Sequence, residues 1–124
     1  MATNRKGASF ERDILPWLQV LFPRIKRTGV GHEGSDYHET GPFCIEAKCR
    51  KDMRLADWMK QVVLAKSNEG RRWAVVVHKR RMFGPQGAYV TMTLEEWVDM
   101  IAHLKGIEVP EDLAPVSEYD FPDW

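Results

Sequence analysis

The run Trp73-Ala74-Val75-Val76-Val77-His78 is apolar at five consecutive positions and shows no alternation. Successive side chains of a strand point to opposite faces. A strand of this kind therefore belongs where both faces are covered. The preceding residues supply a cover. Met53 to Ser67 reads as a helix with the apolar stripe Leu55, Trp58, Met59, Val62 and Ala65, at helical spacing. Asp52 is its expected N-cap and Asn68-Glu69-Gly70 its stop. Gln61 lies off the stripe. Phe43 to Cys49 reads as another strand. Strand, helix and strand in this order predict a parallel crossover between residues 43 and 78.

The remaining elements follow from the same periodicities. Residues 4 to 22 read as an amphipathic helix with the stripe Phe10, Ile14, Trp17, Leu18 and Leu21, capped by Asn4 or Thr3. Pro16 removes a helical hydrogen bond and clashes with the carbonyl of Arg12, which predicts a kink or a break into two short helices. Glu11 sits at the edge of that stripe, turned toward a neighbouring sheet. Arg24 to Thr28 is a possible short strand. Three glycines within residues 29–34 make a loop, either an ordinary one or a segment that closes over a substrate. Ala88 to Met92 reads as a last strand. Thr93-Leu94-Glu95-Glu96 is a capping box. It opens a helix with the stripe Leu94, Trp97, Val98, Ile101 and Leu104 that ends at Gly106. Most of the five tryptophans fall on apolar stripes and are expected in the core.

Between the glycine loop and the long helix lies Gly34 to Arg50, GSDYHETGPFCIEAKCR. Glu39-Thr40-Gly41-Pro42 is turn chemistry. A hairpin centred near Gly41 sets Asp36 opposite Glu46. Alternation puts Cys44, Glu46 and Lys48 on one face and Phe43, Ile45, Ala47 and Cys49 on the other. Two carboxylates and one ammonium then converge. Lys48 alone does not balance two acids. A hard divalent cation would, and oxygen ligands suit Mg²⁺, with Mn²⁺ able to substitute. A zinc site built on His32, Asp36 and His38 lacks a further nitrogen or sulfur ligand at suitable spacing. Cys44 and Cys49, on opposite faces of one strand, are not placed to pair and read as reduced thiols of a cytoplasmic protein.

Charge is unevenly spread. Residues 1 to 105 hold all 18 Lys and Arg against 12 acids, a surplus of +6. The last 19 residues hold six acids and no cation. A basic body suits a polyanionic partner, or is merely a well-solvated surface. Arg5, Lys6 and Arg12 on the first helix and Arg50 and Lys51 past Lys48 could meet phosphate. Lys79, Arg80 and Arg81, beside Phe83, either track a phosphate backbone or form a solvated turn. Residues 1 to 106 form one domain. Residues 107 to 124 form an acidic, proline-containing tail expected to pack on the body or on a partner subunit, where it could shield the basic face. No apolar run approaches the roughly 20 residues of a membrane span, and the N-terminus lacks the apolar core of a signal peptide.

Asp36 followed ten residues later by Glu46-Ala47-Lys48 resembles the motif of the PD-(D/E)XK nuclease superfamily. The start, RKGASFERDI, resembles the opening helix of archaeal-type Holliday junction resolvases. The resemblance extends over roughly residues 5 to 102. It implies an α/β fold with a restriction-endonuclease-like core, a mixed central sheet flanked by helices in the order α-β-β-β-α-β-β-α. It implies a Mg²⁺-dependent DNA endonuclease, a structure-specific Holliday junction resolvase acting as a homodimer on branched DNA, with no nucleotide cofactor and no membrane partner. Asp36, Glu46 and the Ala47 carbonyl would bind metal, with Glu11 as an outer or second contact. Lys48 would orient the attacking water or stabilise charge on phosphorus. Ser35 or His32 would touch the scissile strand. Ser35 stands where the family often has proline, and Gln61 matches a glutamine of RecB-like members whose aromatic companion is Ala65 here. Two alternatives remain: a nuclease of the same fold acting on nicked, flapped or single-stranded DNA, and a non-catalytic DNA-binding module.

Overall fold

A computed structural model of the chain describes residues 5–29 and 34–114, with only the backbone of residues 5 and 6. The order is α1 (Arg5–Leu21), β1 (Lys26–Arg27), β2 (Tyr37–His38), β3 (Phe43–Lys48), α2 (Leu55–Glu69), β4 (Trp73–His78), β5 (Tyr89–Thr91) and α3 (Leu94–Lys105). A 3-10 turn at Pro85–Gly87 precedes β5. This succession agrees with the expected one, and the fold is mixed α/β. β3 and β4 run parallel, with Glu46 registered against Val76 and Lys48 against His78. β5 pairs antiparallel on the other side of β4. The sheet is therefore mixed, in the order β3-β4-β5, and α2 is the crossover.

Every residue of β4 is buried. Val75 and Val77 pack with Phe10, Ile14, Phe22, Ile25, Tyr37 and Ile45 beneath α1. Ala74 and Val76 pack with Cys44, Trp58 and Val62 beneath α2. β3 divides its side chains as alternation requires: Phe43, Ile45, Ala47 and Cys49 join the first layer and Cys44 the second. Each buried branched or aromatic side chain contributes about 1.5–3 kcal/mol relative to exposure.

Several local expectations need correction. α1 runs unbroken through Pro16. Arg12 and Pro16 are both exposed, so the carbonyl that loses its partner can turn to water. The buried arc of α1 is Phe10, Ile14, Leu15 and Leu18, and Trp17 and Leu21 are 57% and 69% exposed. The expected caps Asn4 and Thr3 lie outside the described residues. Asp52 does not cap α2. Helix begins at Leu55, with Arg54 at the N-cap and no side-chain cap. β2 forms its ladder with β1, not β3. The 36–49 segment is a turn closed by Phe43 N–H to the Thr40 carbonyl at 3.1 Å, and its two arms meet through Asp36 N–H and the Ile45 carbonyl at 3.2 Å. Gly41 (φ 57°) and Glu39 (φ 61°) take the left-handed conformations that tighten the turn.

The largest departure is α3. Thr93 accepts from Glu96 N–H and Gly106 closes the C-terminus in the left-handed conformation, but the expected capping box is only half formed, because the Glu96 carboxylate is turned to other partners. Yet the expected core stripe faces outward: Leu94 is 75% exposed, Trp97 50% and Leu104 65%. The buried residues are Glu96, Asp99 and Ala102. β5 reaches only as far as Val76 along β4, leaving the Ala74 N–H without a strand partner. Glu96 Oε1 accepts it at 2.6 Å while Oε2 holds the Lys66 ammonium at 2.9 Å. Asp99 takes Arg72 through both oxygens and the Trp73 indole N–H. A buried polar edge needs acceptors more than this helix needs another apolar contact. The last ten residues, 115–124, with Trp124, lie outside the described residues. Residues 107–109 and 114 line a shallow groove against the end of α3.

Glu96→Ala removes the acceptor of Ala74 and strands Lys66. It is expected to lose about 3–5 kcal/mol in urea denaturation, and Glu96→Gln, which keeps an acceptor, less. A loss under about 1 kcal/mol for Glu96→Ala would show that α3 is anchored by something else.

Candidate active site

The Glu46 backbone is bracketed by Asp36. Asp36 N–H reaches the carbonyl before Glu46, and Asp36 Oδ2 accepts the N–H after it, from Ala47, at 2.7 Å. One residue thus holds the edge of β3 that faces away from β4. The N–H and carbonyl of a strand residue lie on the same side, so the Ala47 carbonyl opens onto this edge too. The expected juxtaposition of Asp36 and Glu46 is met by these two hydrogen bonds rather than by a regular hairpin.

Burial is the largest factor acting on Glu46, and Asp36 beside it is next. Together they push its carboxyl up to about 8, against a smaller opposing pull from Lys48. Glu11 joins the same field from α1. Its carboxyl is raised by burial and by Asp36, and lowered by Arg27 and Arg12. Arg27 lies 3.9 Å from Glu11. The hydroxyl of buried Tyr37, shifted upward by burial and by these acids, donates to the Glu11 backbone carbonyl at 2.8 Å. That bond ties α1 to the β2 segment. Lys48 Nζ donates to Gln61 Oε1 at 3.1 Å, so the residue off the α2 stripe fixes the site's ammonium.

Glu69 was not anticipated as more than part of a helix stop. Its oxygens accept Ser35 N–H and Ser35 Oγ–H, both at 2.9 Å. Glu69 thereby anchors the residue preceding Asp36. It also adds to the upward shift of Glu46 and of the Cys44 thiol, which burial pushes up to about 12. The signal was available: Gln61, Ala65 and Glu69 recur every four residues, on one face of α2. With Glu46 and Gly34 they line an open cleft of about 430 Å³.

Ser35 is buried and committed to Glu69 and to the Tyr37 carbonyl, so it faces inward and not toward a nucleic-acid strand. His32 and the side chains of Arg5 and Lys6 lie outside the described residues. Arg12, Arg50, Lys51, Lys79, Arg80 and Arg81 are all exposed. Arg80 stacks its guanidinium 3.7 Å above the Phe83 ring, which orders the basic loop locally. His38 shares a contact with Thr28, and His78 is a buried strand-end residue held to Thr91. Cys44 and Cys49 are free thiols.

Among the described residues, no group of three or more His, Cys, Asp and Glu side chains is disposed to hold a metal ion. Mg²⁺ commonly uses only one or two protein carboxylates, completing its shell with water and phosphate oxygens. Asp36, Glu46 and the Ala47 carbonyl fit that smaller demand. The donors are all oxygens, and a buried carboxyl resists ionising for want of positive charge.

Glu46 binds its proton more tightly in the folded chain than in the unfolded one, where its ordinary value is 4.5. Its contribution to stability is therefore full below about pH 4.5 and lost as the pH rises through about 8. Glu46→Gln abolishes that loss. In EDTA the melting temperature of Glu46→Gln relative to wild type should be higher at pH 9 than at pH 5. A difference that does not change with pH would contradict the burial and charge coupling assigned to Glu46.

No family model matches the chain, and neither does any curated protein or solved structure.

Proposed function

We propose that this chain is a Mg²⁺-dependent DNA endonuclease with a restriction-endonuclease-like core, acting on branched DNA as a Holliday junction resolvase. The observation that carries the reading is the bracketing of Glu46 by Asp36, with Lys48 two residues on and tethered by Gln61. Two carboxylates that repel one another suit a divalent cation, and the fixed ammonium beside them suits a phosphodiester whose negative charge grows in the transition state.

When bound, Mg²⁺ supplies an acidified water and polarises the phosphoryl oxygen. The chain's own residues do the positioning. Asp36 is pinned through one oxygen by Ala47 N–H, so its other oxygen keeps a defined direction. Glu46, on the side of β3 that carries Cys44, lines the cleft under α2. Lys48, restrained by Gln61, can stabilise the phosphorane-like charge or orient the attacking water. Glu11, coupled to Asp36, would offer a further carboxylate as an outer or second contact to the ion. Arg50, Lys51 and the exposed cations of residues 79–81 are the DNA contacts, with Arg12 and Arg5 and Lys6 on α1.

The described residues contain no helix long and apolar enough to cross a membrane. The outward apolar stripe of α3 supports the homodimer that a two-strand cut requires. A two-fold axis presents the same patch from both subunits, and Leu94, Trp97, Val98 and Leu104 form one such patch. A nuclease of this kind acting on nicked, flapped or single-stranded DNA uses the same chemistry, and a binding module uses the basic surface alone.

The test is incubation with a labelled four-way junction, its component duplex and a single strand, each in Mg²⁺ and in EDTA. Paired symmetric cuts in the junction alone are expected, lost in EDTA and reduced at least about a hundredfold in Asp36→Asn. Cutting of the simpler substrates would remove the junction preference. Unchanged processing by Asp36→Asn would overturn the enzyme. Trp97→Asp is expected to shift the protein from dimer to monomer in light scattering. A wild-type monomer at micromolar concentration would overturn the dimer.

A further inference from the structure

A second cleft, of about 500 Å³, lies beyond Lys48 where β3 runs out toward the start of α2. Its lining is cationic: Lys48, Arg50, Lys51 and Arg54, against the two acids Asp52 and Asp57. Neither acid comes within ion-pair distance of Arg50, Lys51 or Arg54, and none of these three cations has an ion pair among the described residues. Gln61 lines this cleft and the acidic one alike, and its hydrogen bond to Lys48 marks the divide between them. At about 3.3 Å per strand residue, the cationic cleft begins roughly 7 Å from Glu46, within a nucleotide or two of a phosphate bound there.

We infer that this cleft is a backbone-phosphate subsite, in which Arg50, Lys51 and Arg54 hold a nucleic-acid strand by a phosphate next to the one at Glu46. The inference rests on the nucleic-acid reading above but not on cleavage. Three converging cations with no ion pair among the described residues, beside Lys48, leave their charge to be met by an external polyanion. A phosphodiester strand meets it while passing over Gln61 into the acidic cleft. Asp52 and Asp57 limit how many phosphates the cleft accepts, which favours one strand crossing over a broad surface contact.

The test uses fluorescence anisotropy in EDTA with dye-labelled oligothymidylate and a four-way junction, across a salt series. The proteins are wild type, the triple variant Arg50→Ala/Lys51→Ala/Arg54→Ala, and a control triple Arg24→Ala/Lys26→Ala/Lys105→Ala. All six positions are exposed, and equal melting temperatures establish that the fold is kept. For the cleft triple, affinity for oligothymidylate should fall about tenfold or more, and the slope of log K against log salt should flatten by about two. The control should stay within about twofold. An unchanged slope in the cleft triple, or an equal loss in the control, overturns the subsite. Cutting in Mg²⁺ is a separate readout. Binding through the cleft with no cutting at all removes the nuclease and leaves the subsite standing.

Discussion

Everything in this molecule is arranged around the need to bury β4 completely. A strand with no exposed side chain demands a layer on each face, and α1 and α2 supply them. It also demands partners for its main-chain groups on both edges. β3 serves one edge along its whole length. β5 is too short for the other, so the N–H of Ala74 is met by the carboxylate of Glu96. That single requirement turns α3 over. Glu96 and Asp99 go inside, where Lys66, Arg72 and the Trp73 indole neutralise and hydrogen-bond them, and its leucines and tryptophan are left in solvent. The energetic logic is plain: an unpaired buried amide costs about 1–3 kcal/mol, comparable to what one exposed leucine forgoes.

The candidate site is a product of the same edge accounting, applied to β3. Its outer edge has no full strand partner. Asp36 covers part of it with its own N–H and carboxylate, and in doing so carries a negative charge up to Glu46. Glu69 then secures Ser35, the residue before Asp36, from the far end of α2. Three elements of the chain converge on one carboxyl group that is half-buried and surrounded by like charge. Such a group is poorly satisfied in isolation and well matched to a cation. The positive charges sit immediately downstream along the chain. Acid and base are therefore segregated into adjoining clefts, with Lys48 and Gln61 at the boundary. This layout suits the proposed gripping of a phosphate chain beside a divalent cation.

Much of the fold was legible because local periodicity and turn chemistry agree with the tertiary demands. The unalternating run of β4, the α2 stripe, the glycine caps at Gly70 and Gly106, and the two faces of β3 needed no long-range information. Asp36 and Glu46 could be brought together by symmetry about Gly41, although the contact is a clamp rather than a ladder. Glu69 escaped notice because a glutamate beside an asparagine and a glycine looks like a helix end, and its role appears only when Ser35 is folded against it. The α3 stripe misled for a related reason. Helical periodicity identifies two faces but does not say which turns inward when a buried edge needs acceptors.

The sequence by itself determined the order of elements, the parallel crossover through α2, and the placing of Glu46 and Lys48 on one face of β3. Those features depend on spacings of two, three and four residues, which covalent geometry imposes. Only the tertiary structure decided that α3 faces Glu96 and Asp99 inward, that Glu69 secures the approach to Asp36, and that the cations after Lys48 gather into a cleft of their own. These depend on which main-chain groups are left without partners once the sheet has formed. That remainder is a property of the assembled fold, and no local stretch of the chain encodes it.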